Sequence, residues 1–484
     1  MKFTNTYAQL GDAFFKRVLP LPVAQPKLLI WNDKLAESLG LGAALLSDSD
    51  LKAHIFSGNQ LPEGAESIAL AYSGHQFGQL NPQLGDGRAH LLGELMDSSN
   101  HRVDIQLKGS GPTPFSRQGD GRCALGPALR EFIMSEAMYY LGVPTSRCLS
   151  VVATGETVYR ERGRPGAVVT RVAASHIRVG TFQYFAIRKD TESLRALLAY
   201  TVERHFPEIS SDGEDLELDF LDAVMEKQIT LIVEWMRVGF IHGVMNTDNS
   251  AISGETIDFG PCAMMGAYDP GTVYSSIDTQ GRYAFGNQPN IALWNITRLA
   301  ECLLPLINSE QDAAIASLEP LLKTFTDRFQ NSYFKMLGSK LGMTDFALSD
   351  QDFILELMEV MQAKKLDYTQ TFSMLTQSLD DDVAAEKSQK NLGDWYIAWR
   401  GRLEQSADTI ECSRLLMKEK NPLVIPRNHH VEAVLKACED SGTAVAADDF
   451  LSVLRSPYFE IPTTVNYQDF PVDGDKGYHT FCGT

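Results

Sequence analysis

The sequence predicts an α+β fold that passes from a strand-rich part, through a mixed part, to an all-helical one. Three observations predict it. Residues 61–125 carry many glycines between short strand-like runs, "SIALAYSGHQFGQLNPQLGDGRAHLLGELM" and "RVDIQLKGSG". Two segments with helical apolar period follow, at 126–141 and 222–238. Beyond residue 290 the helical period dominates, in "IALWNITRLAECLLPLI", "LEPLLKTFTDRFQNSYFKML" and "DFILELMEVMQ".

Each element has its own reason. Residues 1–60 mix Pro-rich and helical segments and read as an N-terminal extension. In 126–141, Leu129, Phe132, Ile133, Ala137, Tyr140 and Leu141 recur at helical spacing, and Gly142 with Pro144 ends the run. Strand-like "CLSVVATGETVYR" and "AVVTRVA" come next. In 222–238, Met225, Ile229, Ile232, Val233 and Met236 line one face and Gly239 stops the helix. The last 25 residues, rich in Pro, Gly and Asp, read as an irregular tail. The expected organisation is an extension (1–60), a strand-rich lobe (61–180), a mixed lobe (181–330) and a helical region with a cysteine-bearing tail (331–484).

At 484 residues the chain is too long for one ordinary core. Its formal net charge of -19 disfavours a general nucleic-acid binder or adhesion to anionic membranes. An acidic chain that grips a polyanion must gather its cations in one place. The first twenty residues lack the apolar core of a secretion signal, and no run is apolar enough to span a membrane. Seven cysteines with no CxxC pair argue against structural zinc and a disulfide framework. A reducing cytoplasm is the expected location.

The stretch "HGVMNTDNSAISGETIDFG", residues 242–260, carries the clearest chemistry. Gly254-Glu255 between two short runs predicts a tight hairpin with a II′ turn, bringing Asn249 and Asp258 together. An amide oxygen and a carboxylate are hard ligands suited to Mg²⁺, and Asp-Phe-Gly is the form kinases use for this ligand. Small-molecule kinases often begin such a loop with His-Gly-Asp. Here Val244 occupies the place of that acid, five residues before Asn249, and Asp248 is the only acid nearby in the loop. Either catalysis is lost, or a different phosphate reaction uses Asp248 as base.

The upstream cations fit a phosphate site. "GDGR" occurs twice, at 85–88 and 119–122, and offers Gly85, Gly87, Arg88, Asp120 and Gly121; glycines admit a close anion and the arginines add charge. Lys108 ends a probable strand as the kinase strand lysine does, with Glu131 its natural partner and Glu136 the fallback. Arg171 and Arg178 stand seven residues apart, on one face if the intervening residues are helical.

The motifs "YSGHQFGQLNPQLGDGRA", "LKGSGPTPFSRQGDGR", "LREFIMSEAMYYLGVPT" and "HGVMNTDN…IDFGPC…AYDP" resemble the selenoprotein O, or YdiU, family over nearly the whole chain. The resemblance implies a protein-kinase-like two-lobed fold that binds ATP flipped, with the terminal phosphate buried and the α-phosphate facing the acceptor. It implies AMP transfer to Ser, Thr or Tyr hydroxyls of protein substrates with release of pyrophosphate, and in some members UMP transfer from UTP with Mn²⁺. It places Gly85, Gly87, Arg88, Lys108, Asp120, Gly121, Arg171 and Arg178 at nucleotide-binding positions. Asp248 falls at the proton acceptor, and Asn249 and Asp258 at the Mg²⁺ or Mn²⁺ ligands, Asp258 also facing the nucleotide. Many animal relatives carry selenocysteine near the C-terminus, where this chain has Cys482. A redox-sensitive pairing of Cys482 with Cys262 would tie the tail over the site. The competing readings are a γ-phosphate kinase and a nucleotide-binding pseudokinase scaffold. Substrate identity, nucleotide preference and oligomeric state are not legible.

Overall fold

The structure, a computed structural model, describes residues 3–210, 213–406, 408–471 and 474–481. Its N-terminal part holds an eight-stranded antiparallel sheet and a separate two-stranded hairpin. The strands are β1 (Phe15–Arg17), β2 (Lys27–Trp31), β3 (Ile68–Leu70), β4 (Gly74–Gln76), β5 (Gln79–Asn81), β6 (Ala89–Met96), β7 (Arg102–Lys108), β8 (Cys123–Ala124), β9 (Arg147–Tyr159) and β10 (Gly163–Ala173). The order across the sheet is β1-β3-β6-β7-β10-β9-β2, with β8 added beside β10. Both edge strands thus come from the first 31 residues. β4 and β5 form a separate small hairpin whose two turn residues, Phe77 and Gly78, both have positive φ, as a type I′ turn requires.

Side-chain alternation splits the sheet into two cores. Leu92, Ile105, Leu107, Val152, Val168 and Val172 pack with the helices Asp33–Ser38 and Ser49–Phe56 on one face. Leu91, Val151, Ala167 and Val169 face the other way, into the larger core built around the helix Leu125–Tyr140. That helix is buried from Leu125 to Met138 except for Pro127, and it carries Arg130, Glu131, Ser135 and Glu136 into the interior among its apolar residues. It lies between strands β9 and β10 and the helices Asn428–Ser441 and Val445–Leu454.

The helix Leu216–Val238 begins six residues before the predicted start and ends at Gly239, whose φ of 77° is the left-handed C-cap that glycine favours. Two short strands, β11 (Phe240–Ile241) and β12 (Ala263–Met264), pair and enclose the loop that contains Asp248, Asn249 and Asp258. From Gln288 to Leu454 the regular elements are helical. No helix among the described residues is long and apolar enough to cross a membrane.

Two local expectations fail. Residues 251–258 form no hairpin: Gly254 closes a turn onto the Ala251 carbonyl at 3.1 Å, Ala251 bridges Arg178, and Thr256 bridges Thr145. The two short runs find backbone partners on neighbouring segments instead of each other. Nor are residues 171–178 helical. Arg171 lies in β10, in a run of β-branched Val168, Val169, Thr170 and Val172 that favours a strand, and Arg178 is the residue just before the helix Val179–Ala186.

Candidate active site

Strand register gathers the upstream residues. In β7, Ile105 and Leu107 point into one core, so Gln106 and Lys108 point to the opposite face. Arg171 pairs with Gln106 across β10 and β7, and Val169 pairs with Lys108. Glu131, on the central helix, receives both cations. Lys108 Nζ stands 2.6 Å from its Oε2, and Arg171 Nε and Nη2 stand 2.8 and 2.6 Å from its Oε1. Arg171 Nη1 also donates to Gln106 at 3.2 Å. Burial would raise the Glu131 carboxyl, but Arg171 and Lys108 outweigh burial and hold it below its ordinary range. Lys108 therefore finds the partner the sequence predicts. The fallback, Glu136, instead holds Arg147 in a two-bond pair at 2.7 and 2.8 Å.

Lys108 also reaches Asp258 Oδ1 at 3.1 Å. Asp258 has a φ of 67°, a left-handed conformation uncommon outside glycine and often found where a side chain is aimed for function. Burial pushes its carboxyl up, but Lys108, Arg171 and Arg88 together drive it far below the carboxylate range. Asp258 is thus an anion held in place by cations. His242 sets the approach to it: Nε2 lies 2.9 Å from the Ile257 carbonyl, while Nδ1 accepts the Val244 N–H at 3.3 Å.

The Asp248 loop is fixed from several sides. Thr247 Oγ1 accepts the His75 N–H at 2.7 Å and donates to Gln183 at 2.6 Å. Asn246 Oδ1 accepts from Tyr283 at 2.6 Å and from the Phe77 N–H at 3.1 Å. Asn249 donates its amide nitrogen to the Val244 carbonyl at 3.0 Å, which leaves Oδ1 as its remaining ligand atom. Asp248 is 8% exposed, yet its Oδ1 is buried with no hydrogen-bond partner and its Oδ2 receives only a 3.4 Å contact from Gln76. Burial, partly opposed by Arg178, pushes this carboxyl up to about 6.

These groups line one cleft of about 380 Å³. Seven basic side chains border it, Arg88, Lys108, Arg117, Arg122, Arg160, Arg171 and Arg178, against the four carboxylates of Asp86, Asp120, Asp248 and Asp258. In a chain of net charge -19 this is a local positive field. Arg178 is the least committed of the buried cations. It stacks on Tyr72 at 4.4 Å, donates to the Asp248 carbonyl at 3.1 Å, stands 3.6 Å from Asp86 and leaves Nε unpartnered.

Gly85, Gly87, Asp120 and Gly121 also border the cleft. Packing as well as anion approach demands two of these glycines. A Cβ on Gly85 would meet the Phe115 ring at 2.4 Å, and one on Gly121 would meet the Gly111 backbone at 2.1 Å. Asp120 is exposed and takes a two-bond pair from Arg160 at 2.8 and 3.0 Å. Tyr72, Asp86, Gln106 and Arg160 escaped the sequence reading. Asp86 sits inside the first GDGR and accepts from Gln106 at 3.1 Å, so the motif itself held that signal. Arg160 follows "TVY" at the end of β9 and carried none.

The model of the family described as Protein adenylyltransferase SelO matches residues 1–455. The chain belongs to the SelO family. SelO-family relatives called Protein nucleotidyltransferase YdiU resemble it from end to end. The one from Teredinibacter turnerae is 52% identical over 485 residues and that from Pseudoalteromonas translucida 48% over 484, each comparison covering 100% of both chains. The one from Rhizobium johnstonii is 50% identical, covering 100% of this chain and 97% of its own.

Of the two cysteines singled out, Cys262 is buried, its thiol pushed up to about 12 by burial, and Sγ contacts the Phe259 carbonyl at 3.3 Å. Cys482 lies outside the described residues.

Proposed function

We propose that this protein is a nucleotidyltransferase that moves AMP from ATP onto Ser, Thr or Tyr hydroxyls of proteins and releases pyrophosphate. The reading rests on family membership and on one observation: Val244 fills the usual base position, while the carboxylate of Asp248, four residues on, keeps a buried oxygen free beside Arg178. The names of the relatives, each a protein nucleotidyltransferase, support the same class.

The arrangement gives each group a task. Arg88, Lys108 and Arg178 take the β and γ phosphates, where charge grows as pyrophosphate leaves; a preorganised donor of this kind is worth about 10²–10³ in rate. Arg171 holds Glu131, and Glu131 holds Lys108 in line. Asn249 and Asp258 offer the oxygen donors that Mg²⁺ or Mn²⁺ requires, and the ion supplies charge neutralisation on phosphate oxygens when bound. Asp248 accepts the hydroxyl proton as oxygen attacks the α-phosphorus. The strand lysine paired to a helix glutamate, with the Asn249 and Asp258 ligands beyond, supports a kinase-like two-lobed layout around a flipped nucleotide. In the tail, Thr480 Oγ1 donates to the Pro261 carbonyl at 2.6 Å, next to Cys262, which supports a redox link from Cys482; absence of a joined peptide in non-reducing maps after mild oxidation removes it.

The deciding experiment incubates the protein with acceptor proteins, Mg²⁺ or Mn²⁺, and ATP labelled at either the α or the γ position, with α-labelled UTP in parallel. Label kept from the α position establishes nucleotidyl transfer and ranks AMP against UMP. Label kept from the γ position establishes a kinase, and intact binding without label a scaffold.

A further inference from the structure

A cluster outside the lining of the cleft joins the tail to the body. His429 and His430 open the helix Asn428–Ser441, and its first turn is fixed on both sides. Arg427 holds Asp367 with two hydrogen bonds of 2.9 and 3.0 Å, and the Asn428 amide exchanges two 2.9 Å bonds with the backbone of Met264. From that fixed turn both imidazoles reach one tail carboxylate. His430 Nε2 stands 2.6 Å from Asp469 Oδ1, and His429 Nε2 stands 3.2 Å from Oδ2. The ring centroids are only 4.0 Å apart, and one candidate ligand atom from each residue lies within 4.8 Å of the others. Successive helical residues point about 100° apart and do not face each other, so this convergence is built and not a default of the helix. Tyr467 and Phe450 close over His430, with ring centroids at 5.1 and 6.2 Å, while His429 Nδ1 is buried without a partner.

We propose that His429, His430 and Asp469 form a site for a divalent transition-metal ion of the Zn²⁺ class, which staples the tail to the helix Asn428–Ser441. Two imidazoles and a carboxylate suit Zn²⁺ and its neighbours, whereas Mg²⁺ seeks oxygen alone. With zinc–ligand bonds of about 2.0–2.2 Å, adjacent ligand atoms of a tetrahedron stand about 3.3–3.5 Å apart. One ligand atom from each of the three residues lies within 4.8 Å of the others, and the 2.6 Å between His430 Nε2 and Asp469 Oδ1 opens to that spacing with a small outward shift. Three protein ligands leave one position for water, and the 59% exposed Asp469 side chain leaves a path in. The donor set differs from the Asn249 and Asp258 oxygens of the cleft, so the two ions do not compete. Beyond Asp469 the tail continues to Tyr478, which donates to Glu432 at 2.8 Å, and to Thr480 beside Pro261. Metal at the staple therefore fastens the segment that lies against the Asp258 loop.

The test titrates Zn²⁺ by calorimetry into full-length, metal-stripped protein carrying Cys412→Ser and Cys482→Ser, in excess Mg²⁺. One tight equivalent is expected, kept in Asp258→Ala and weakened by at least about 100-fold in His430→Ala and in Asp469→Asn. Zn²⁺ should also slow tryptic cleavage of the tail in the parent and not in Asp469→Asn. Because Asp469 is exposed, Asp469→Asn keeps the fold and decides alone if His430→Ala does not fold. No tight equivalent in the parent, or one unchanged in Asp469→Asn, overturns the proposal.

Discussion

At the joint beneath the C-terminal helices, Arg427 meets Asp367 through two parallel hydrogen bonds, with both side chains 5% exposed. In the cleft, Arg178 is almost as buried at 7%, yet its nearest carboxylate, Asp86, stands 3.6 Å away and its Nε has no partner. Asp248 beside it keeps an unpaired oxygen. The first pair is closed on itself and can only hold helices together. The second region leaves charges unfinished, which costs stability and is kept where a ligand completes the set. Incomplete pairing of buried charge therefore separates the Arg178–Asp248 region from the closed Arg427–Asp367 joint.

That contrast can be broken or sharpened by substitution. The largest effect is expected from Asp258→Ala, which should cut nucleotidyl transfer by about 10³-fold or more, the upper end of what one charge-stabilising group supplies, while circular dichroism stays unchanged. Full transfer in that variant would remove the site. Arg427→Ala should do the opposite: denaturant unfolding should show a loss of about 3–5 kcal/mol from the stranded Asp367, with transfer preserved under folding conditions. Lys108→Ala should lower kcat/KM for nucleotide by about 10²-fold, with a smaller stability loss because Arg171 still neutralises Glu131. Asp248→Asn should reduce kcat by about 10²-fold and leave nucleotide affinity near normal in a binding titration; equal losses in both would make it a binding group. The smallest effect belongs to Arg160→Ala, whose partly exposed pair with Asp120 is worth about 0.2–1 kcal/mol by thermal unfolding.

Much of the candidate cleft's lining was legible because its signals are local. Glycine pairs, a lysine at a strand end and an Asp-Phe-Gly triplet each announce themselves within a few residues. The two failures came where short segments chose between partners. Residues 251–258 lacked the length to pair internally, and the run from Arg171 to Arg178 carries β-branched residues that outvote a helical spacing. Tyr72 and Gln106 were invisible because a stacking ring and an amide gain meaning only beside Arg178 and Arg171.

The sequence by itself determined the main helices and the helix stops at Gly142 and Gly239, and it narrowed the partner of Lys108 to Glu131 or Glu136, since periodicity, caps and a charged residue at a strand end act over short range. Only the tertiary structure decided that Arg171 serves Glu131, that Arg178 stands half free between Tyr72, Asp86 and Asp248, and that two histidines meet Asp469. Those outcomes depend on strand register and on packing between residues far apart in the chain, and a charge acquires its partner, or is left without one, only when the chain closes around it.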